Sequence, residues 1–391
     1  MPVTIEHLNW RGEGVGDGQA FRNVLPGETV DTATGQVLQA SPERIAPFCE
    51  YYVKCGGCQL QHWQPEPYRN WKKNLVAAAL QKRGIDFPVA DIIDAHGAGR
   101  RRVSLHVRRK DGVVVAGFMA ARSHDLIDIE QCPILVPALQ DSPEAARKLG
   151  ARLGDCDISF TAADNGLDVA IKAERKIADA QMPRLAALVA DLNLARLNIN
   201  GNLVAMRAAP VVAIGKAVVQ VPPGSFLQAT KLGEETLANL VLAALGKAKS
   251  VADLFCGIGP FGLRIAEQAK VTAIDSDKPA IAALAQAVRL TSGIKPLKAE
   301  VRDLMREPVV ANELKEFDAV VFDPPRAGAE AQARQLAKSA VKTVIAVSCD
   351  PASFARDVEI LIGGGYRLKS LTAVDQFKWT SHVEIVGTFS R

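Results

Sequence analysis

Four of the seven cysteines are spaced like metal ligands. The set is Cys49, Cys55, Cys58 and Cys132. A Cys-x2-Cys spacing lets two thiolates reach one metal centre, the two intervening glycines free the backbone to fold around it, and a terminal Cys-Pro is typical of ferredoxin-type ligation. Four thiolates would hold a [4Fe-4S] cluster or a zinc ion, and both alternatives stay open. Unliganded core cysteines are disfavoured because the first three lie in a polar, Gln- and His-rich loop.

A glycine-rich turn at residues 255–262 is typical of a loop that binds a nucleoside. Gly257, Gly259 and Gly262 match G-x-G-x-x-G after an apolar stretch, and Asp275 ends the next apolar stretch. Such glycines let the backbone approach a ligand, and a carboxylate at that distance accepts hydrogen bonds from ribose hydroxyls. The alternative is a structural turn, since a lone match of this kind has low specificity.

Two further polar segments follow apolar stretches. One is Asp323-Pro324-Pro325-Arg326, and the other is Ser348-Cys349-Asp350-Pro351. Sheets of α/β proteins place ligands at the carboxyl ends of their strands, and a dehydrogenase needs neither segment. The pair therefore favours S-adenosylmethionine over a dinucleotide. Because Arg326 rather than an aromatic residue follows Asp-Pro-Pro, we expect an RNA target whose reacting atom is not an amino nitrogen.

The scaffold that must position these segments is predicted to be a doubly wound sheet. After the break at residues 221–224, apolar strands at 250–255, 271–274, 317–322 and 341–347 alternate with helical stretches. Strands that are buried on both faces and separated by helices indicate a Rossmann-like α/β domain. We assign this domain, with a mixed sheet, to residues 222–391.

The earlier part of the chain is predicted to form two other domains. Residues 45–221 combine the cysteine loop, an amphipathic helix at 68–83 and alternating strands that fit antiparallel pairs, and so indicate an α+β domain. Residues 1–44 are glycine-rich, with short strands expected at 2–8, 19–24 and 28–32. They are typical of a small β-barrel or a fragment of one, and the alternative is a flexible N-terminal extension.

Length and composition exclude several classes of protein. A chain of 391 residues favours two or three domains, and 47 basic against 43 acidic residues gives a net charge of only +4. Coating nucleic acid by charge alone is therefore excluded. We expect a cytoplasmic monomer without a membrane partner, because the sequence has no bilayer-length apolar run and no signal-peptide pattern, and its odd number of cysteines argues against a disulfide framework.

Together, these motifs resemble the RNA uracil-C5 methyltransferases, which form 5-methyluridine in tRNA and 23S rRNA, and especially the iron–sulfur branch that acts on 23S rRNA. The resemblance covers nearly the whole chain. It implies a [4Fe-4S] cluster on Cys49, Cys55, Cys58 and Cys132; S-adenosylmethionine contacts from Gln228, Phe255, Gly257, Gly259, Asp275, Asp303 and Asp323; Cys349 as nucleophile; and Glu384, within His382-Val383-Glu384, as base. Residues 1–44 are similar to a shortened TRAM module, an RNA-binding β-barrel.

The sequence departs from the family pattern at three places. Ala229-Thr230 replaces Val-Asn, Pro260 stands where many members have Asn, and Gln376-Phe377-Lys378 replaces Met-Phe-Pro. Cofactor contacts at these places do not follow from the resemblance.

The implied chemistry explains why a cysteine and a base are both needed. C5 of uracil is a weak nucleophile, and addition of the Cys349 thiolate at C6 turns it into an enolate carbon that attacks the sulfonium methyl group. Glu384 then removes the C5 proton so that the thiolate can leave. The structural alternatives are a buried strand-end cysteine, a solvated glutamate on a strand and, for Asp323, a helix N-cap.

The target base must be flipped out of its stack before it can react. The basic runs at 100–102 and 108–110 are expected to bind the RNA backbone, and the alternative is that they form only a solvated face.

We predict an S-adenosylmethionine-dependent 23S rRNA uracil-C5 methyltransferase with a structural [4Fe-4S] cluster. The alternatives are the same reaction on tRNA and a catalytically silent RNA-binding or ribosome-assembly factor. The presence of both Cys349 and Glu384 argues against a silent protein.

Overall fold

The N-terminal residues form two small antiparallel sheets. The computed structural model describes residues 1–175 and 178–391. Its first strands are β1 (Pro2–Thr4), β2 (His7–Leu8), β3 (Gly14–Gly16), β4 (Gln19–Phe21), β5 (Thr29–Asp31) and β6 (Val37–Gln39). The sheets have the orders β1-β5-β6 and β2-β3-β4, and Ile5, Val24 and Val30 form their shared core. The predicted β module is thus a pair of sheets, and it includes two strands, β3 and β6, that were not predicted.

The middle of the chain forms a seven-stranded mixed sheet with helices on one face. The elements from the cysteine loop to residue 220 are α1 (Pro65–Gln81), β7 (Ile93–Asp94), β8 (Arg102–Lys110), β9 (Val113–Met119), β10 (Leu126–Asp128), α2 (Ser142–Leu153), β11 (Cys156–Ala163), β12 (Gly166–Ala173), α3 (Met182–Asp191), β13 (Leu194–Ile199), β14 (Asn202–Met206), β15 (Val211–Ile214) and β16 (Ala217–Gln220). The sheet order is β10-β9-β8-β11-β12-β13-β14, with β15-β16 as a separate hairpin. Helices α2 and α3 pack on the sheet through Leu149, Leu185 and Val189.

The C-terminal part forms an eight-stranded sheet with apolar clusters on both faces. Its elements are α4 (Lys231–Leu245), β17 (Ser250–Leu254), α5 (Gly262–Ile265), β18 (Lys270–Asp275), α6 (Lys278–Leu290), β19 (Leu297–Val301), β20 (Ala319–Phe322), α7 (Glu330–Ala337), β21 (Thr343–Ser348), α8 (Pro351–Gly363), β22 (Arg367–Asp375) and β23 (Glu384–Ser390). The order is β19-β18-β17-β20-β21-β23-β22-β7. Strands β17 to β21 are parallel and β23 is antiparallel to both neighbours. The predicted doubly wound mixed sheet is confirmed.

The strand directions bring distant parts of the chain to one edge of this sheet. The strands β17, β20 and β21 end there, and the order of the sheet reverses beside β17, where open α/β sheets form a ligand crevice. Because β23 runs the opposite way, its first residue lies at the same edge. Ser348 pairs with Ile385, so Cys349, which follows the end of β21, lies next to Glu384, which begins β23. Asp350 begins α8 by accepting a hydrogen bond from the Ser353 N–H (2.8 Å).

Helix α1 and strand β7 precede the middle sheet in the chain but pack against the C-terminal sheet. Strand β7 pairs in parallel with the end of β22, and α1 contacts α8. Residues 65–94, which the predicted 45–221 domain includes, therefore complete the C-terminal sheet. The domain boundaries at 44 and 221 stay predictions. In the described ranges, no helix is long and apolar enough to cross a membrane.

A buried ion pair joins α1 to the segment between β22 and β23. The ammonium group of Lys72 is fully buried and pairs with the Asp375 carboxylate, and it also donates to the carbonyl of Phe377 (3.1 Å). The Tyr68 hydroxyl donates to Asp375 Oδ2 (2.8 Å) and accepts the Trp379 N–H (2.7 Å). These bonds fix residues 375–379, the segment that leads into β23.

The substitution Lys72→Met should lower the free energy of unfolding by about 3 to 5 kcal/mol, because it leaves the Asp375 carboxylate buried without its charged partner. The matched control is Lys73→Met, which removes an ion pair with exposed Asp91 and should leave stability nearly unchanged since solvent screens that pair. Urea unfolding followed by tryptophan fluorescence measures both. Equal losses for the two variants would contradict the assigned role of the buried pair.

Candidate active site

The carboxyl edge of the C-terminal sheet opens into a cavity of about 620 Å³. Its walls come from the segment before α4, the turn after β17, the ends of β18 and β19, the loops after β20 and β21, and the start of β23. Eight predicted site residues line it: Gln228, Phe255, Gly257, Asp275, Asp303, Asp323, Cys349 and Glu384. One continuous space thus joins the glycine turn to the cysteine and the glutamate.

The glycine turn is tied to the next strand by hydrogen bonds. Asp275 Oδ2 accepts the Gly257 N–H (2.8 Å) and Oδ1 accepts the Asp277 N–H (2.8 Å), so the carboxylate both shapes the turn and faces the cavity. Phe255 has a φ of 61°, a left-handed conformation that is strained for a bulky residue. Gly259 does not line the cavity. A Cβ there would lie 2.6 Å from Leu284 of α6, so this glycine permits close packing.

Two carboxyl groups that line the cavity, the partly buried Asp323 and the buried Glu384, are connected through two amides. Gln228 Nε2 donates to Asp323 Oδ2 (3.2 Å), while Gln376 Nε2 donates to Gln228 Oε1 (2.6 Å) and to Glu384 Oε1 (3.0 Å). Burial raises the pKa of Asp323, opposed by the Gln228 hydrogen bond. Burial and the nearby Asp323 raise the pKa of Glu384, opposed by the hydrogen bond from Gln376. Glu384 is therefore a buried base candidate and not a solvated strand residue.

Cys349 is half-buried in the same cavity. Burial, followed by the carboxyls of Glu384 and Asp323, raises the pKa of its thiol to about 11, and Arg326 acts in the opposite direction. Arg326 Nη2 lies 3.3 Å from His382 Nε2. Burial and the charge of Arg326 lower the pKa of His382 to about 4, so this imidazole is neutral at physiological pH. A pKa of about 11 favours the thiol form of Cys349 at neutral pH.

The cavity includes residues that sequence reasoning did not single out. Phe226 is 65% exposed at its rim, and the Arg102 guanidinium lies 5.4 Å from the ring centroid. Gln376 does not line the cavity but donates to two residues that do, Gln228 and Glu384. In the sequence it is visible only as a departure from the family pattern, although a glutamine in place of an apolar residue near His382-Val383-Glu384 is itself a signal. His382 was noted only as part of the motif around Glu384.

The basic run at 100–102 is not the exposed RNA-binding surface that the sequence predicts. Arg101 is only 7% exposed and donates to the carbonyl of Gln228 (2.9 Å) and to the carboxylate of Glu234 (2.6 Å). Arg102 donates to the carbonyl of Leu227 (3.0 Å). These side chains hold the segment before α4 against the middle sheet, so the expectation was wrong for Arg101. Arg109 and Lys110 are exposed.

The predicted cysteine ligands surround a second, smaller cavity of about 160 Å³, lined by Cys49, Cys55, Cys58 and Cys132. Burial and the neighbouring thiols raise the pKa of Cys132 to about 12, and burial raises that of Cys58 to about 11. Within residues 1–175 and 178–391, no three His, Cys, Asp or Glu side chains are grouped to hold a metal ion. The cysteines are thus brought together but are not closed around a single point. Cys156 and Cys256, outside this set, are buried.

A solved structure shows which fold this is. The Pyrococcus abyssi tRNA (uracil-54, C5)-methyltransferase, solved in complex with S-adenosyl-L-homocysteine, matches with a TM-score of 0.78 and 21% identity, over 100% of this chain and 99% of that one. At this identity the likeness shows the fold alone, and that fold is an α/β methyltransferase fold.

Sequence comparisons show the family. The family model described as tRNA (uracil-5-)-methyltransferase matches residues 130–390. A Brucella suis protein described as an RNA methyltransferase is 46% identical, covering 100% of this chain and 97% of that protein. A Halomonas elongata 23S rRNA (uracil(1939)-C(5))-methyltransferase is 32% identical over 98% of this chain and 88% of its own length. The chain belongs to the tRNA (uracil-5-)-methyltransferase family, and the resemblance inferred from its motifs is confirmed.

At mildly alkaline pH, Cys349 should react with iodoacetamide more slowly than an exposed cysteine, because a thiol with a pKa of about 11 carries little thiolate. Glu384→Gln should accelerate the reaction at any pH where Glu384 is ionised, since removal of the carboxylate lowers the pKa of the thiol. Mass spectrometry of the peptide that contains Cys349 follows the rate. Fast alkylation of the unmodified protein, or no acceleration in the variant, would contradict the assigned electrostatics.

Proposed function

We propose that this protein methylates C5 of a uridine in 23S rRNA with S-adenosylmethionine as methyl donor. The observation that carries the proposal is that Cys349 and Glu384 line one cavity together with the glycine turn. Family membership supports uracil C5 as the reacting atom. The relative described as a 23S rRNA enzyme supports rRNA over tRNA, as do the four cysteines around one cavity through their resemblance to the iron–sulfur branch.

The cofactor end of the cavity is the turn after β17. Gly257, Asp275 and Asp303 all line this part of the cavity. Gly257 would let the backbone approach the cofactor, and the Asp275 carboxylate would accept hydrogen bonds from the ribose hydroxyls. Phe255, Gln228 and Cys349 line the same cavity. When bound there, S-adenosylmethionine supplies an electrophilic sulfonium methyl group. Asp323, between the two ends, accepts from the cofactor or from the uracil N3–H.

Cys349 starts the reaction by adding to C6 of the uracil. Its thiol first loses its proton to solvent, because only the thiolate is nucleophilic. The sulfur–carbon bond then forms as the electron pair of the C5–C6 double bond moves into an enolate, which makes C5 nucleophilic. Arg326 is the cationic side chain that stabilises the thiolate against the nearby carboxyls. After C5 has acquired the methyl group, Glu384 takes its proton, the double bond reforms and the thiolate of Cys349 is released.

The location of Glu384 supports this division of roles. A buried carboxyl with a raised pKa is poised near neutral pH, where a general base works best. It faces the same space as Cys349 without being on the same strand. A catalytically silent RNA-binding factor has no need to keep a nucleophile and a base in one buried cavity.

We propose that Cys49, Cys55, Cys58 and Cys132 hold a [4Fe-4S] cluster. The proposal is supported by four thiols that border one cavity and by the Cys-x2-Cys spacing of Cys55 and Cys58, a set that could ligate either a cluster or zinc. The resemblance to the iron–sulfur branch favours the cluster. The cluster would tie residues 49–58 to the loop that carries Cys132, far along the chain. The proposed role of the cluster is structural. The N-terminal 44 residues and the middle sheet would present RNA to the C-terminal domain. The protein would act as a cytoplasmic monomer.

RNA that carries 5-fluorouridine at the target should trap the enzyme. Cys349 still adds to C6 and the methyl group still transfers, but fluorine cannot leave as a cation, so a methylated protein–RNA adduct should survive denaturing electrophoresis. Cys349→Ala should form no adduct. With ordinary uridine RNA, Glu384→Gln should accumulate the methylated adduct because the nucleophile remains while the base is lost. Near-normal turnover by Cys349→Ala would refute the covalent mechanism.

Anaerobically purified protein should contain iron and sulfide, measured by elemental and colorimetric analysis. Cys58→Ser should lose most of the iron and lower thermal stability, because binding of a structural metal centre contributes to folding free energy. The matched control, Cys156→Ser, alters a buried cysteine in β11 outside the set and should keep its iron. Stoichiometric zinc without iron in the unmodified protein would overturn the cluster assignment.

A further inference from the structure

Gln376 is a fully buried glutamine whose side chain is hydrogen-bonded at both ends. It follows β22 directly, at a place where the family pattern has a methionine. Its Oε1 accepts the N–H of Thr230 (3.4 Å), and its Nε2 donates to both Gln228 and Glu384. A methionine can make none of these bonds. The amide therefore adds to this chain a contact between the proposed base and the segment before α4.

The bonds of Gln376 give the two oxygens of Glu384 different surroundings. Oε1 accepts from Gln376, whereas Oε2 is buried and has no hydrogen-bond partner among the residues that the structure describes. A buried carboxylate oxygen without a partner is costly unless a ligand or a proton satisfies it. The arrangement leaves Oε2 as the oxygen that can receive a proton from the substrate.

The same bonds connect the base to the cofactor side of the cavity. Gln228, which accepts from Gln376, donates to Asp323 (3.2 Å). Gln376 also receives the N–H of Thr230, the residue that caps α4. A displacement of the segment that carries Gln228 would therefore be transmitted to the carboxyl of Glu384 through one side chain.

We propose that Gln376 is a positioning residue that holds Oε1 of Glu384, leaves Oε2 to accept the C5 proton, and couples this base to the Gln228 segment. The inference rests on the proposed function of the same site. The N–H donor favours the ionised carboxylate. The other charged or titratable groups that act on Glu384 are Asp323, Arg326, Lys72 and Cys349, and the substitution below leaves them all in place.

The direct test is Gln376→Met, which keeps the length of the side chain and restores the residue of the family pattern. In single-turnover reactions on uridine RNA, decay of the methylated adduct should slow about tenfold, as expected for the loss of one hydrogen bond to a charged group, and it should slow more than methyl transfer does. The pH profile of adduct decay should move to higher pH, because the carboxyl without its donor ionises later.

A double-substitution cycle separates positioning from a general structural effect. In a Glu384→Gln background, Gln376→Met should add nothing to the decay defect, because its effect passes through Glu384. The control for buried glutamines is Gln332→Met in α7, which removes hydrogen bonds to Val309 away from the cavity's base. It should lower stability without moving the pH profile. Additive defects, or an unchanged decay profile in Gln376→Met, would overturn the inference.

A measurement without RNA distinguishes this inference from the proposed function. Gln376→Met keeps more Glu384 neutral near pH ~8, so Cys349 alkylation should be faster than in the unmodified protein. An unchanged alkylation profile contradicts the inference whatever happens to RNA. A shifted profile in a protein that transfers no methyl group to uridine supports the coupling and refutes the proposed function instead.

Discussion

The pairing of β21 with β23 is the constraint on which the site depends. Ser348 lies opposite Ile385, so Cys349 comes one residue after the end of one strand and Glu384 begins its antiparallel neighbour. A one-residue slip would turn the side chains of β23 to the other face of the sheet. Phe389 packs in the apolar cluster on one face and Val386 in the cluster on the other, so a slip would exchange side chains of different size between two close-packed cores. Hydrophobic packing thereby sets the positions of the reactive groups.

The second constraint is electrostatic. The cavity places the thiol of Cys349 beside the carboxyls of Asp323 and Glu384, and burial makes each charged form costly. The protein offsets this cost with amide donors from Gln228 and Gln376 and with the distributed charge of Arg326. Outside the cavity, the Lys72–Asp375 pair holds the segment that carries Gln376. The ionisation of Cys349, Asp323 and Glu384 therefore depends on these few hydrogen bonds and charges, and the loss of one donor would change it.

Sequence patterns predicted the parts of this arrangement that depend on local chemistry. Buried apolar strands predicted the doubly wound sheet, and the polar residues at strand ends, Asp323 and Cys349, indicated which edge carries the chemistry. The patterns missed β7, because a two-residue strand has no periodicity and its pairing with β22 is a long-range contact. They also misassigned Arg101, since a basic run does not reveal a buried partner such as Glu234.

Tertiary contacts also determine roles of individual site residues that a motif does not show. The cofactor contact of Gly259 stays a prediction from its motif. The structure adds that a Cβ at this residue would meet Leu284 of α6, a tertiary contact that no motif encodes. In the sequence, Gln376 stands out only as a departure from the family pattern. Its hydrogen bonds connect Glu384 to Gln228, which lies far away along the chain. Roles that depend on tertiary contacts could be assigned only once the structure was known.

Methyl transfer to C5 of a uridine requires the C5 hydrogen to leave, so release of that hydrogen is the step to measure. Ribosomal RNA labelled with tritium at C5 of uridine, incubated with the protein and S-adenosylmethionine, should release tritium to water in step with methyl incorporation, with 23S rRNA preferred over tRNA as substrate. Methyl transfer without release of tritium would place the reaction at another atom and contradict the account.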